Sequence, residues 1–140
     1  MKYEEFIAQV RRRARLASSE EAEKATKATL ETLAGRLQGN EATQLAAQLP
    51  QEIALYLQPG YAGIGDSYGL DEFFYRISER EEVELVESTF HARVVCALLS
   101  EAVSVGEMDD VRAQLPPDFA KLFDVQNEGE IPELGDVVSE

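Results

Sequence analysis

A single cysteine, Cys96, excludes an intramolecular disulfide. It lies in the apolar run VVCALL, where a thiol behaves as a small buried hydrophobe and not as a redox nucleophile. A single histidine, His91, excludes a histidine-based metal cluster. With Glu87 and Arg93 beside it and no nucleophile motif nearby, His91 is expected at a structural helix position without a general-base role. Cations are scarce: 13 lysines and arginines against 27 acids give a net charge of −14. That charge favours solubility and repels polyphosphates, so nucleic acid and anionic membranes are excluded as expected partners. No apolar stretch approaches the roughly 18 residues of a spanning helix. The N-terminal MKYEEFIAQVRRRAR has no uninterrupted signal-peptide core. The expectation is a soluble, cytoplasmic protein.

What is present is the same pattern twice. Residues 41–57 read EATQLAAQLPQEIALYL and residues 107–123 read EMDDVRAQLPPDFAKLF. At a constant offset of 66, six of 17 positions are identical: Glu41/Glu107, Ala47/Ala113, Gln48/Gln114, Leu49/Leu115, Pro50/Pro116 and Ala54/Ala120. Chance gives roughly one match at average residue frequencies. Leu45/Val111, Glu52/Asp118, Ile53/Phe119 and Leu57/Phe123 are conservative pairs within the same stretch.

The earlier parts of each half follow suit. Tyr3, Phe6, Ile7 and Val10 fall at helical spacing, and Leu70, Phe73, Phe74 and Ile77 align with them at an offset of 67. Ser18 with Glu21 is a capping-box pattern opening a second helix, and Ser78 with Glu81 repeats it. Leu30, Leu33, Ala34 and Leu37 give the inward stripe of the first, which is expected to end at Gly39-Asn40. Val95, Leu98, Leu99, Ala102 and Val103 give the stripe of the second. Short third helices are predicted over about 41–48 and 107–114. Proline lacks an N–H and disfavours helix in the residue before it, so Leu49 and Leu115 are predicted as extended joints. Pro50 and Pro116 then open fourth helices, with Glu52 and Asp118 in the first turn where the helix dipole favours a carboxylate.

The predicted fold class is all-α: a tandem duplication of a roughly 60-residue four-helix unit, packed as one domain with approximate two-fold pseudo-symmetry. Repeat 1 covers about 2–58, a glycine-rich linker 59–69 and repeat 2 about 70–124. The tail 125–140, with five acids and no cation, is expected to be mobile.

At the segments Ala25 to Leu57 and Ala92 to Phe123, with the shared AQLP-x-[ED]-[IF]-A, the chain resembles a bacterial and archaeal family known as domain of unknown function 2267. The block RVVCALLSEAVSVGEMDDVRAQLPPDFAKLF is the more distinctive part. The resemblance runs from about Phe6 to Asp124. It implies a small, helical, duplicated protein and carries no catalytic residues over.

No candidate site rises above its structural reading. Arg11, Arg12, Arg13 and Arg15 are the only basic cluster and read as a helix C-terminus complementing its dipole. The glycines of 60–69 lack the Gly-Lys-Ser/Thr of a phosphate loop. Glu107, Asp109 and Asp110 lack calcium-loop spacing and read as charges at a helix start, so no metal site is expected. The two Gln-Leu-Pro joints read as a helix–helix corner fixed by proline. Tyr61, Asp66 and Tyr68 are the candidate binding residues, lining a groove between the repeats. The functional expectation is a non-enzymatic, cofactor-free protein-interaction module that binds a protein partner or a second copy of itself. The alternative is a small-ligand sensor with its site between the repeats.

Overall fold

The computed structural model describes residues 1–38, 40–57 and 68–123. Helix α1 is Tyr3–Arg13, α2 Ser19–Ala34, α3 Glu41–Ala46 and α4 Gln51–Ala54, the last continuing as a 3-10 turn over Leu55–Leu57. Then come α5, Leu70–Glu81; α6, Leu85–Ala102; α7, Val105–Ala113; and α8, Ala120–Phe123, entered through a 3-10 turn at Pro117–Phe119. There is no strand among the described residues, so the fold is all-α. No helix among them is long and apolar enough to cross a membrane. The tail 125–140 and the linker residues 59–67 lie outside the described residues.

Local chemistry accounts for most of these boundaries. Ser18 Oγ accepts from Glu21 N (3.1 Å) as a helix cap should, and Glu21 Oε1 reaches back to accept from Ala17 N (3.0 Å). The expected counterpart at Ser78 does not form. The apolar stripe of α5 carries the helix on to Glu81, so Ser78 lies inside it and donates to Val83 O (2.7 Å). The chain then turns at Glu82, whose φ is 65°, and α6 starts after Glu84 with no side-chain cap. Helix α2 ends at Ala34, earlier than Gly39-Asn40. Gly35, a poor helix residue, caps it, and the next bonds tighten to Arg36 N–Leu33 O and Leu37 N–Ala34 O. Leu37 is thereby still carried into the core. Pro50 takes the extended N-cap position of α4 (ψ 147°), so that helix opens one residue later than predicted.

One cluster of buried side chains draws on nearly every element. Phe6, Ile7 and Val10 meet Leu30, Leu33 and Leu37 from the first half and Phe73, Ile77, Val95, Leu98, Leu99 and Phe119 from the second. Phe73 and Phe119 pack edge to face, with centroids 5.1 Å apart. Helix α6 is the central rod: from Ser88 to Leu99 it buries residues on several sides, Cys96 among them. Burial pushes the Cys96 thiol far up, which makes it inert as a nucleophile.

The glutamines of the Gln-Leu-Pro joints tie the halves together. Gln48 Oε1 accepts from Ser104 N (2.7 Å), at the N-cap of α7. Gln114 Oε1 accepts from Gln38 N (2.8 Å), just ahead of α3. Each bond satisfies a backbone donor near a helix start and is worth about 1 kcal/mol.

Candidate functional site: a cleft between the halves

The turn from α1 to α2 and the turn from α5 to α6 face each other across a cleft of about 560 Å³. Leu16 and Lys24 line it from the first half, and Glu81, Glu87, Phe90 and His91 from the second. Both turns contain a non-glycine residue in the left-handed region, Arg15 (φ 58°) and Glu82 (φ 65°), and both of these line the cleft. Such a conformation costs on the order of 1–2 kcal/mol per residue. Ala14, Leu16 and Phe90 line one side, and Val94 packs with them in a small apolar cluster.

His91 and Glu81 are the chemically distinctive pair. Both are buried, at 6% and 3% exposure. His91 Nδ1 donates to Glu81 Oε2 at 2.5 Å, while Glu81 Oε1 is buried with no hydrogen-bond partner. At the mouth, Lys24 Nζ bonds Glu82 Oε1 (2.6 Å). Both of those side chains are exposed, so their attraction adds little to stability.

A second polar group lies where α3 meets α7. Carboxylate oxygens of Glu41, Glu107 and Asp110 fall within 4.8 Å of one another. Glu41 and Glu107 are buried, each with Oε2 unpartnered. Burial pushes the Glu107 carboxyl up to about 7, and the hydrogen bond and charge of Glu41 and the charge of Asp110 push the same way. Glu107 is the third residue after the cap Ser104, whose Oγ accepts from Glu107 N (3.1 Å).

A family model described as "Uncharacterized conserved protein (DUF2267)" matches residues 3–122, from the start of α1 into α8. The chain belongs to the DUF2267 family. No curated protein matches it.

In this DUF2267 chain the three residues singled out for the inter-repeat groove have different fates. Tyr61 and Asp66 lie outside the described residues. Tyr68 is half-buried between the guanidinium groups of Arg36 and Arg76, at 5.0 and 3.9 Å from its ring centroid. It thus bridges the two halves, but it does not line the 560 Å³ cleft. Of the arginine cluster, Arg11, Arg12 and Arg13 stand in the last turn of α1, where Arg13 forks onto Glu101 with two bonds of 2.9 Å and Arg11 donates to Ala17 O (3.2 Å), whereas Arg15 lies past the helix end and lines the cleft. Asp109 faces Arg112 at the surface, apart from the carboxylate group. Asp118 leaves its own turn and accepts from Leu70 N (3.0 Å), supplying a partner to the start of α5. Sequence reasoning missed His91 with Glu81, whose spacing of ten residues spans a helix–helix turn. It also missed Glu41 with Glu107, although that pair is the first identity of the 66-residue offset.

Proposed function

We propose that this DUF2267 protein is a non-enzymatic binding module, made by tandem duplication of a four-helix unit, that takes a small amphipathic amine in the cleft between its halves. The observation that carries this reading is the buried His91–Glu81 pair at the wall of the 560 Å³ cleft. A buried polar pair is frequently no more stabilising than apolar residues of the same volume, so its position beside a cleft points to recognition. Around it, Glu21, Glu81, Glu82 and Glu87 outnumber Arg15 and Lys24, which favours a cationic head group. Leu16 and Phe90 offer the apolar surface for the rest of the molecule. Among the described residues that line the cleft there is no serine, threonine or cysteine, and Ser88, one turn before His91 on α6, spends its hydroxyl on Leu85 O (3.1 Å).

Three pairings support the duplication. The left-handed residues Arg15 and Glu82 stand 67 apart. The glutamine bonds Gln48–Ser104 and Gln114–Gln38 are related by the same offset of 66, with acceptor and donor matching. Glu41 meets its own counterpart Glu107. A cytoplasmic setting goes with a single buried free cysteine.

A thermal-shift screen of small amines tests the cleft. Hits should stabilise the native chain and lose their effect in the Glu81→Leu/His91→Leu double variant. A screen without hits, or hits that stabilise the double variant equally, sinks the reading.

Self-association is the second reading, favoured by Leu85 and Val86. These are 48% and 63% exposed and lie in the chain between the cleft residues Val83 and Glu87. Light scattering over a concentration series at two salt concentrations decides it. A mass rising to a dimer supports a self-interface, and a monomer mass throughout removes it.

A further inference from the structure

We propose that Glu41, Glu107 and Asp110 form a binding site for one hard divalent cation of calcium size, which clamps α3 to α7. The inference is independent of the amine cleft, since none of the three residues lines it.

Geometry is the first ground. Two ligands of one calcium ion are separated by at most about twice the Ca–O distance, or roughly 4.6–5.2 Å. The three carboxylates each offer an oxygen within 4.8 Å of the others, which meets this pairwise limit, and a contraction of a few tenths of an ångström brings all three within reach of one ion. The shorter metal–oxygen distance of magnesium, about 2.0–2.1 Å, suits this spacing less well.

The second ground is an unmet need. Glu41 and Glu107 are each 8% exposed, and Oε2 of each is buried without a hydrogen-bond partner. The donor given to Glu41 is Gln114 Nε2, at a long 3.5 Å from Oε1. Among the described residues no lysine or arginine forms an ion pair with any of the three. Buried carboxylates converging with no cationic side chain paired to them are an arrangement a cation satisfies. Asp110 is exposed, so water has access to complete the coordination shell.

The ion would join the two halves. Glu41 opens α3 in the first and Glu107 sits in the first turn of α7 in the second. The glutamine bonds flank the same junction.

Calorimetric titration of the full chain with calcium chloride tests the site, alongside Glu41→Gln, Glu107→Gln and the control Asp109→Asn. Asp109 is the neighbouring exposed acid, which a diffuse attraction to a chain of charge −14 would engage equally. The expected result is one saturable calcium per native chain, with a Kd on the order of 10⁻⁴ to 10⁻³ M given so few carboxylates. Either glutamine variant should weaken it at least tenfold, and Asp109→Asn should leave it unchanged. Circular dichroism of each variant confirms that a lost site is not a lost fold. Folded glutamine variants that bind as well as the native chain would overturn the proposal, as would a native chain without saturable binding in that range.

Discussion

Replacing His91 with alanine is expected to lower the stability of the folded chain by about 3–5 kcal/mol. The reason is the carboxylate left behind. Glu81 is 3% exposed, and its Oε2 accepts the hydrogen bond from His91 Nδ1 while Oε1 is already without a partner. Removing the imidazole leaves both oxygens buried and unmet. Domains of this size have total stabilities of about 5–15 kcal/mol, so the loss is a large share of the whole. Urea denaturation at neutral pH reads it directly as a shift in midpoint at constant slope. The Glu81→Leu/His91→Leu double variant should recover most of the loss, because replacing both partners of a buried pair is frequently neutral. A loss below about 1 kcal/mol in the alanine variant would mean that Glu81 turns into the cleft and reaches water, contrary to the packing described.

Replacing Glu107 with glutamine is expected to act in the other direction. Burial first, and then Glu41 and Asp110, raise the Glu107 carboxyl from 4.5 to about 7. A raised carboxyl binds its proton more tightly in the folded chain than in the unfolded one. Its contribution is fully present below pH 4.5 and is lost as pH rises through about 7. Each pH unit inside that window costs about 1.4 kcal/mol. Glutamine is neutral throughout and offers Glu41 an amide donor. In chelator, Glu107→Gln should therefore match the native chain near pH 4.5 and exceed it by on the order of 2–3 kcal/mol at pH 8. Paired denaturation curves across that range check the sign. A difference that is flat with pH would show that Glu107 titrates as an ordinary exposed acid.

How much of this was legible in the sequence depended on whether the cause was local. The stripes Phe6-Ile7-Val10 and Leu70-Phe73-Phe74-Ile77 are written in residue spacing, and these side chains are buried as their periodicity demands. Ser18 with Glu21 is a four-residue signal and forms the expected cap. The same pattern at Ser78 failed because the apolar stripe ahead of it was strong enough to carry α5 through the serine. The working cap in the second half is Ser104 with Glu107, an equally simple pattern that the acids after it obscured. The end of α2 was misplaced because Gly39-Asn40 is the stronger stop signal, whereas Gly35 acts with a tightening turn that still buries Leu37.

The sites were less legible because they are made by contacts between helices. Nothing near His91 in the chain announces Glu81; the turn at Glu82 brings them together. Glu41 and Glu107 were visible as an identity at offset 66. Only the packing of α3 on α7 turns that identity into a meeting of two buried carboxylates. The joints Gln48 and Gln114 were read for their prolines, yet it is the glutamine side chains that cross between halves.

The most direct test of the cleft as the binding site is nuclear magnetic resonance of the isotope-labelled chain, titrated with an amine selected by thermal shift. Saturable shift changes should concentrate at Leu16, Lys24, Glu81, Phe90 and His91 and vanish in the Glu81→Leu/His91→Leu variant. Shifts that scatter over the acidic surface, or that persist unchanged in that variant, would contradict it.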